Sequence, residues 1–133
     1  MNWTRVLLGG LVAGIVTNLS GWVMHGMIMA DTYKKYDQVF SQTEANPAKF
    51  FAVAIAVAVF TAILFAKTRA SWAEGVKGGM AFGFWLGMAV FFANFYYPLV
   101  IAGFPYYLGW CWGGIRLIEG LIGGAVLGAI IKR

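Results

Sequence analysis

The stretch FFAVAIAVAVFTAILFA, residues 50–66, is apolar at every position except Thr61. A helix rises about 1.5 Å per residue, and roughly 17–25 residues cross the ~30 Å hydrocarbon core of a bilayer. Because backbone polar groups in lipid must be satisfied within the segment, a helix is the expected form. The stretch therefore predicts a transmembrane helix.

Three further apolar segments have a similar length and character, which makes residues 50–66 the second of four. They cover residues 6–29, 76–97 and 108–131. The first and last of them lack the period-2 alternation that barrel strands would need. The sequence thus predicts an all-α fold, a single integral membrane domain over residues 1–133 built as a bundle of four transmembrane helices.

The composition supports a chain whose main solvent is lipid. Of its 133 residues, 61% are hydrophobic and 11% are charged, whereas about 25% are charged in an ordinary soluble domain. The formal net charge of +5 is scattered between apolar runs, so no nucleic-acid partner is predicted. A single cysteine and a single histidine exclude a disulfide within the chain and a multi-histidine metal site.

The connections between the apolar segments differ in character. Residues 30–49 carry most of the soluble-type residues, with aromatic side chains at helical spacing, which predicts a short amphipathic helix on the membrane surface between the first and second spans. In the second connection, Ser71 followed by Glu74 fits a capping box that would start the third helix. The third connection and its flanks predict an aromatic belt at one membrane interface. The belt consists of Tyr96, Tyr97, Tyr106, Tyr107, Trp110 and Trp112.

The Lys and Arg residues are divided unequally between the two sides of the predicted bundle. With four spans, both termini and the second connection share a side, which holds Arg5, Lys67, Arg69, Lys77, Lys132 and Arg133. The other side holds Lys34, Lys35 and Lys49. Because cytoplasmic loops carry the excess of Lys and Arg, both termini are predicted to lie in the cytoplasm.

Glycines recur at intervals of four residues in three of the four segments. The positions are Gly10 and Gly14, then Gly79, Gly83 and Gly87, then Gly120, Gly124 and Gly128. This spacing places small residues along one helix face, where another backbone can approach closely. Such a face serves either ordinary packing within one bundle, the favoured interpretation, or an interface with a specific partner.

Polar side chains within the predicted spans are costly and need partners. They are Asn18, His25, Asn94, Arg116 and Glu119. The favoured interpretation is a structural network that fixes helix register. The alternatives are a site for a small ligand or quinone headgroup, or a proton pathway titrated by Glu119 and His25. Catalysis ranks last, because no nucleophile–base pair can be named.

No cofactor and no metal site are predicted from these residues. His25 is a weak candidate for an axial ligand of haem or chlorophyll, since an intramembrane histidine can bind a metal through one ring nitrogen. Bound lipid, quinone or pigment therefore stays open as an alternative.

Both ends of the chain carry a family resemblance. The string MNWTRVLLGGLVAGIVTNLSGWVMHG, residues 1–26, follows the pattern M-N-x-x-R-V-L-x-G-G-L-V-A-G-x-V-x-N. It resembles the opening of a group of small, uncharacterised bacterial membrane proteins. The last segment, GGIRLIEGLIGGAVLGAIIKR at residues 113–133, is also similar to that group, with Glu119 at its acidic position. The resemblance implies a four-helix bundle in the bacterial cytoplasmic (inner) membrane, and it implies no activity.

Three functions are compatible with these features. The expected one is non-catalytic: an accessory or scaffold subunit that packs against a larger membrane-protein complex of respiratory or photosynthetic type, or that self-associates. The second is a small channel, transporter or proton-pathway protein that uses the intramembrane polar residues. The third is a membrane subunit that binds a quinone, lipid or pigment.

Overall fold

The computed structural model describes residues 1–40 and 46–133, and within these ranges the chain is helical and contains no strand. The elements in chain order are α1 (Trp3–Gly21), which continues into a π-helical segment (Trp22–Ile28), α2 (Ala30–Lys35), α3 (Pro47–Lys67), a 3₁₀ turn (Arg69–Ser71), α4 (Gly75–Ala93), α5 (Tyr96–Val100) and α6 (Tyr106–Ile130).

Four of the described helical stretches are long and apolar enough to cross a membrane. They are Trp3–Ile28, Pro47–Lys67, Gly75–Val100 and Tyr106–Ile130. This confirms the predicted all-α architecture with four such helices. The third stretch is interrupted where α4 passes into α5, because Pro98 has no amide hydrogen to donate to the carbonyl of Asn94 and its ring would clash with that carbonyl in a continuous helix.

The helix α3 begins earlier than its apolar run. Asn46 is the N-cap residue, and its side chain accepts a hydrogen bond from the amide of Lys49 at 3.2 Å. Pro47 occupies the first turn, where its missing amide hydrogen costs no hydrogen bond. The pair Asn46–Pro47 thus starts a helix that runs three residues before the predicted segment 50–66.

The closest helix pair is α4 with α6, and the glycines explain the approach. A Cβ atom on Gly79 would lie 2.7 Å from the amide nitrogen of Gly128, and one on Gly83 would lie 2.7 Å from the carbonyl carbon of Gly120. Nothing larger than hydrogen fits at these positions. The two glycine stripes therefore face each other inside the chain, and the antiparallel helices pack backbone to backbone.

The helix α1 packs between α3 and α6. A Cβ atom on Gly10 would lie 2.8 Å from the Cα of Val59, and one on Gly14 would lie 3.0 Å from the Cα of Ile55. On its other side, Gly9 contacts Ile131 just beyond the end of α6. These contacts bring both chain termini to one end of the bundle, which we call the terminus-bearing end.

The apolar core is concentrated at the terminus-bearing end. Its buried members are Val6, Ala13, Ala58, Ala62, Phe65, Phe82, Leu127 and Ile131. Large apolar side chains also point outward, most of all on α3, where Phe60 is 73% exposed. A surface of this kind is unusual for a soluble monomer.

The connection between α3 and α4 is held by Arg69, which is only 5% exposed. Its guanidinium donates to the carbonyls of Ile131, Trp72 and Ala73 at 3.0–3.1 Å and pairs with the Glu74 carboxylate at 3.0 Å. Glu74 is the N-cap residue of α4 but its side chain caps no amide. The predicted capping box of Ser71 and Glu74 is therefore wrong, because the carboxylate pairs with arginine instead.

The segment predicted as an amphipathic helix, residues 30–49, is helical in part. The helix α2 has six residues, and hydrogen-bonded turns follow as far as Phe40. Residues 41–45 lie outside the described residues, and residues 47–49 belong to α3. Tyr33 and Phe40 pack against the end of the bundle opposite the termini.

Candidate functional site

His25 lies on the π-helical segment that follows α1. The amide of Met29 donates to the carbonyl of Met24, five residues earlier, at 3.0 Å. One extra residue per turn changes the direction in which the side chains point, and such segments are frequent at functional sites. His25 consequently does not continue the regular helical face of Asn18 and Gly21.

Two aromatic side chains form a hydrogen-bonded chain with His25. Trp112 Nε1 donates to Tyr33 Oη at 2.8 Å, and Tyr33 Oη lies 2.5 Å from His25 Nδ1. Indole is a donor only, so the Tyr33 oxygen accepts from Trp112 and its own proton is available to His25 Nδ1. The hydroxyl thus joins the indole of Trp112 to the imidazole of His25.

The rings around Trp112 form an aromatic cluster at this end of the bundle. Phe104, Tyr97 and Phe40 have ring centroids 5.2, 5.3 and 5.9 Å from that of Trp112. The edge-to-face geometry of the first two pairs is the favourable one for aromatic rings. The cluster thus fixes the position of Trp112, and Trp112 in turn fixes Tyr33 against His25.

Arg116 and Glu119 form an ion pair one turn further along α6. Arg116 Nη1 donates to Glu119 Oε2 at 2.7 Å. The Glu119 side chain is 12% exposed, whereas that of Arg116 is 51% exposed. A Cβ atom on Gly21 would lie 2.7 Å from Glu119 Oε1, so the absence of a side chain at Gly21 allows the carboxylate to lie against α1.

The two asparagines stand apart from these groups. Asn94 is 5% exposed, and its side chain donates to the carbonyl of Val90 on its own helix at 2.7 Å. Asn18 is half-buried, and its side chain has no hydrogen-bond partner among the residues that the structure describes. Of the five sequence-predicted polar residues, the structure brings Arg116 and Glu119 into contact, and within the described residues no hydrogen bond joins His25 or either asparagine to that pair.

The aromatic residues of the predicted belt divide into two groups. Those with exposed side chains are Tyr96, Tyr97, Tyr106, Tyr107 and Trp110. Trp112 is half-buried and turns inward to Tyr33. Trp110 is on the opposite side of the helix and packs on Phe95 with ring centroids 5.0 Å apart.

Sequence reasoning did not assign Tyr33 and Trp112 to the polar site. One signal was available for Trp112, because residues 112, 116 and 119 are spaced i, i+4 and i+7 and share a face of α6. For Tyr33 the helical spacing in residues 30–40 indicated a surface helix. No sequence pattern indicates the π-helical segment that brings His25 close to Tyr33.

The side chains of this site hold one another by hydrogen bonds and an ion pair, and they leave one charged group open to a ligand. His25 Nδ1 is engaged by the Tyr33 hydroxyl. Within residues 1–40 and 46–133, no three His, Cys, Asp or Glu side chains lie close enough to share a metal ion. The half-exposed guanidinium of Arg116 is the group most accessible to another molecule.

The chain has no match among known family models, characterised proteins or solved structures.

Proposed function

We propose that the chain is a non-catalytic integral membrane protein, an accessory or scaffold subunit that packs against another membrane protein or against a second copy of itself. Its four long apolar helices and their outward-facing side chains support insertion into a bilayer. The polar site offers a charged contact point.

The observation that carries the proposal is the exposure of Arg116 halfway along a helix that is long and apolar enough to cross a membrane. Arg116 is ten positions after Tyr106 and fourteen positions before Ile130, which places it about 15 Å and about 21 Å from the helix ends. A cation at this depth in lipid costs about 2.5–3.5 kcal/mol on insertion scales. Glu119 offsets part of that cost, and half of the Arg116 side chain is left uncovered.

A partner helix with an acceptor opposite Arg116 would remove the remaining cost. The glycine stripes of α4 and α6 are not available for such a partner, since they are filled by one another. We therefore expect a partner to dock at Arg116. The exposed apolar face of α3, which includes Val53, Val57 and Phe60, would then contact lipid or a further part of the partner.

The charge distribution supports an orientation. The terminus-bearing end carries Arg5, Lys67, Arg69, Lys77, Lys132 and Arg133, against three lysines towards the opposite end. We place the terminus-bearing end in the cytoplasm of a bacterial cell and α2 at the outer surface of the inner membrane. The aromatic residues near α2 fit an interfacial position.

A proton pathway is the second candidate, favoured by the hydrogen-bonded chain of Trp112, Tyr33 and His25. Beyond Glu119, however, the contacts between α1 and α6 are made by Thr17 against Gly123 and by Gly9 against Leu127. The Thr17 hydroxyl donates to the carbonyl of Ala13 on its own helix. Within the described residues the polar chain thus ends halfway, so a single copy offers half a pathway.

The test is the particle mass in mild detergent. We expect the wild-type chain, purified from native membranes, to run as a defined particle heavier than one 14.5 kDa chain in native mass spectrometry. The double variant Arg116→Leu/Glu119→Leu removes the whole ion pair, leaves no uncompensated charge and should dissociate that particle. The control is Lys77→Leu, which removes an exposed cation from α4.

Two results would contradict the proposal. One is recovery of the wild-type protein as a lone monomer. The other is a particle that persists in the double variant as it does in Lys77→Leu. Helical circular dichroism of each variant establishes that the fold is retained.

A further inference from the structure

A cavity of about 540 Å³ lies at the terminus-bearing end, between the start of α1 and the ends of α3 and α6. Small-molecule sites in proteins usually have volumes of about 300–1,000 Å³. The lining residues are Met1, Asn2, Arg5, Val6, Ala66, Lys67, Arg69, Ala70, Ile131, Lys132 and Arg133. The cavity is far from the His25 and Arg116 site and shares no residue with it.

The charges that line the cavity are almost all positive. Arg69 and Arg133 are neutralised in part by Glu74, at 3.0 and 3.2 Å. Arg5, Lys67 and Lys132 are exposed, and within the described part of the chain none of them forms an ion pair. Three cations without acidic partners repel one another, and an anion between them would relieve that repulsion.

The floor of the cavity is apolar. Val6 and Ile131 are buried beneath the charged residues, and Ala66 lies on the α3 side. The first turn of α1 also adds the partial positive charge of a helix N-terminus, with Asn2 as its N-cap. A cationic rim above an apolar floor suits a ligand with an anionic head and an apolar body.

We propose that this cavity binds the phosphate-containing headgroup of an anionic phospholipid, with Arg5, Lys67 and Lys132 around the phosphate. The inference rests on the proposed membrane insertion, which puts these residues at headgroup depth because each lies within a few residues of a helix end. Basic pockets between transmembrane helices on the cytoplasmic side are typical sites for such headgroups.

The experiment compares lipids in native mass spectrometry of the detergent-solubilised full chain. Phosphatidylglycerol is the anionic probe, phosphatidylcholine the zwitterionic one, and inorganic phosphate the soluble one. The variant Arg5→Gln/Lys67→Gln/Lys132→Gln removes the rim cations. The matched control Lys34→Gln/Lys35→Gln/Lys49→Gln removes the same charge from the opposite end.

We expect the wild-type chain to bind phosphatidylglycerol more tightly than phosphatidylcholine. Each basic residue near an anionic surface changes affinity about fivefold, so the rim variant should lose about a hundredfold. The control should keep the wild-type affinity. Added potassium chloride should weaken phosphatidylglycerol binding to the wild-type chain, a measurement that needs no variant.

Three results would overturn the site. They are equal binding of the two lipids, equal losses in the rim variant and the control, and salt-independent binding. Inorganic phosphate that binds as tightly as the lipid would instead assign a soluble-phosphate site and refute the lipid. Failure of the proposed function is distinguished separately, because a chain that alkaline carbonate releases from membranes is not inserted at all.

Discussion

The substitution Gly83→Ala tests whether the packing of α4 on α6 requires a residue without a side chain at position 83. The new Cβ atom would overlap the carbonyl oxygen of Gly120, and it would lie 2.7 Å from the carbonyl carbon of Gly120 and 3.2 Å from the Cα of Gly124. Ordinary van der Waals contact begins at 3.4 Å, so the carbonyl carbon alone requires a local separation of at least 0.7 Å, and the closer oxygen requires more. The obstacles are backbone atoms, which cannot move aside by a change of rotamer.

The expected cost follows from that separation. A gap of about 0.5–1 Å loses a quarter to a half of the dispersion energy of each contact that it opens. Overpacking of this kind costs about 1–3 kcal/mol. The helix propensity of alanine is also more favourable than that of glycine by about 1 kcal/mol, which offsets part of the loss in stability. A control with the same gain in helix propensity is therefore needed.

Gly114 supplies that control, since nothing lies within 4 Å of a Cβ atom at this position on α6. We expect Gly83→Ala to be about 1–3 kcal/mol less stable than Gly114→Ala. The assay is reversible unfolding in mild detergent titrated with sodium dodecyl sulfate and followed by circular dichroism. Equal stability of the two variants would refute the backbone packing of α4 on α6.

Three further substitutions test the two ends of the bundle. Arg69→Gln should destabilise the chain by about 3 kcal/mol in the same assay because it leaves buried carbonyls without a donor. Arg133→Gln changes a half-exposed side chain and should cost less than about 1 kcal/mol. Similar losses of stability in the two variants would contradict the role of Arg69. Burial raises the pKa of the Tyr33 hydroxyl, against a smaller lowering effect of the Trp112 hydrogen bond. The folded state therefore holds the neutral form, and the stability that this contributes is present below about pH 10 and lost as the pH rises through the folded pKa. Wild-type protein should accordingly lose more stability than Tyr33→Phe in alkaline solution, and parallel unfolding curves would count against the buried hydroxyl.

The helices could be predicted because they depend on the order of apolar residues along the sequence. A run of apolar side chains long enough to cross a bilayer has few alternatives to a helix. The pair Asn46–Pro47 starts α3, since an N-cap residue followed by a proline in the first turn favours a helix start. Glycines at intervals of four marked the close packing for the same geometric reason.

The site could be predicted only in part because its other determinants depend on tertiary structure. Arg69 was counted as a surface cation, yet it is buried because its partners are backbone carbonyls, which no sequence pattern displays. Trp110 and Trp112 are indistinguishable as belt residues, and the direction of the neighbouring helix decides which of them turns inward. Tyr33 reaches His25 through a π-helical segment, whose extra residue follows from packing.

Different interactions hold the helices together at the two ends of the bundle, and this determines which end a bound partner can rearrange. At the terminus-bearing end, Arg69 donates to the carbonyl of Ile131 just beyond α6 as well as to two carbonyls of its own connection, so moving α6 away would remove one hydrogen bond from a buried guanidinium. At the opposite end the contacts around Trp112 are ring edges and one shared hydroxyl, each contributing about 0.5–1.5 kcal/mol and replaceable one at a time. Arg116 lies between the two regions, and its counter-ion Glu119 is held against Gly21. A partner that engages Arg116 would meet a carboxylate already in position, and it could reorganise the aromatic end without disturbing the spacing of the helices.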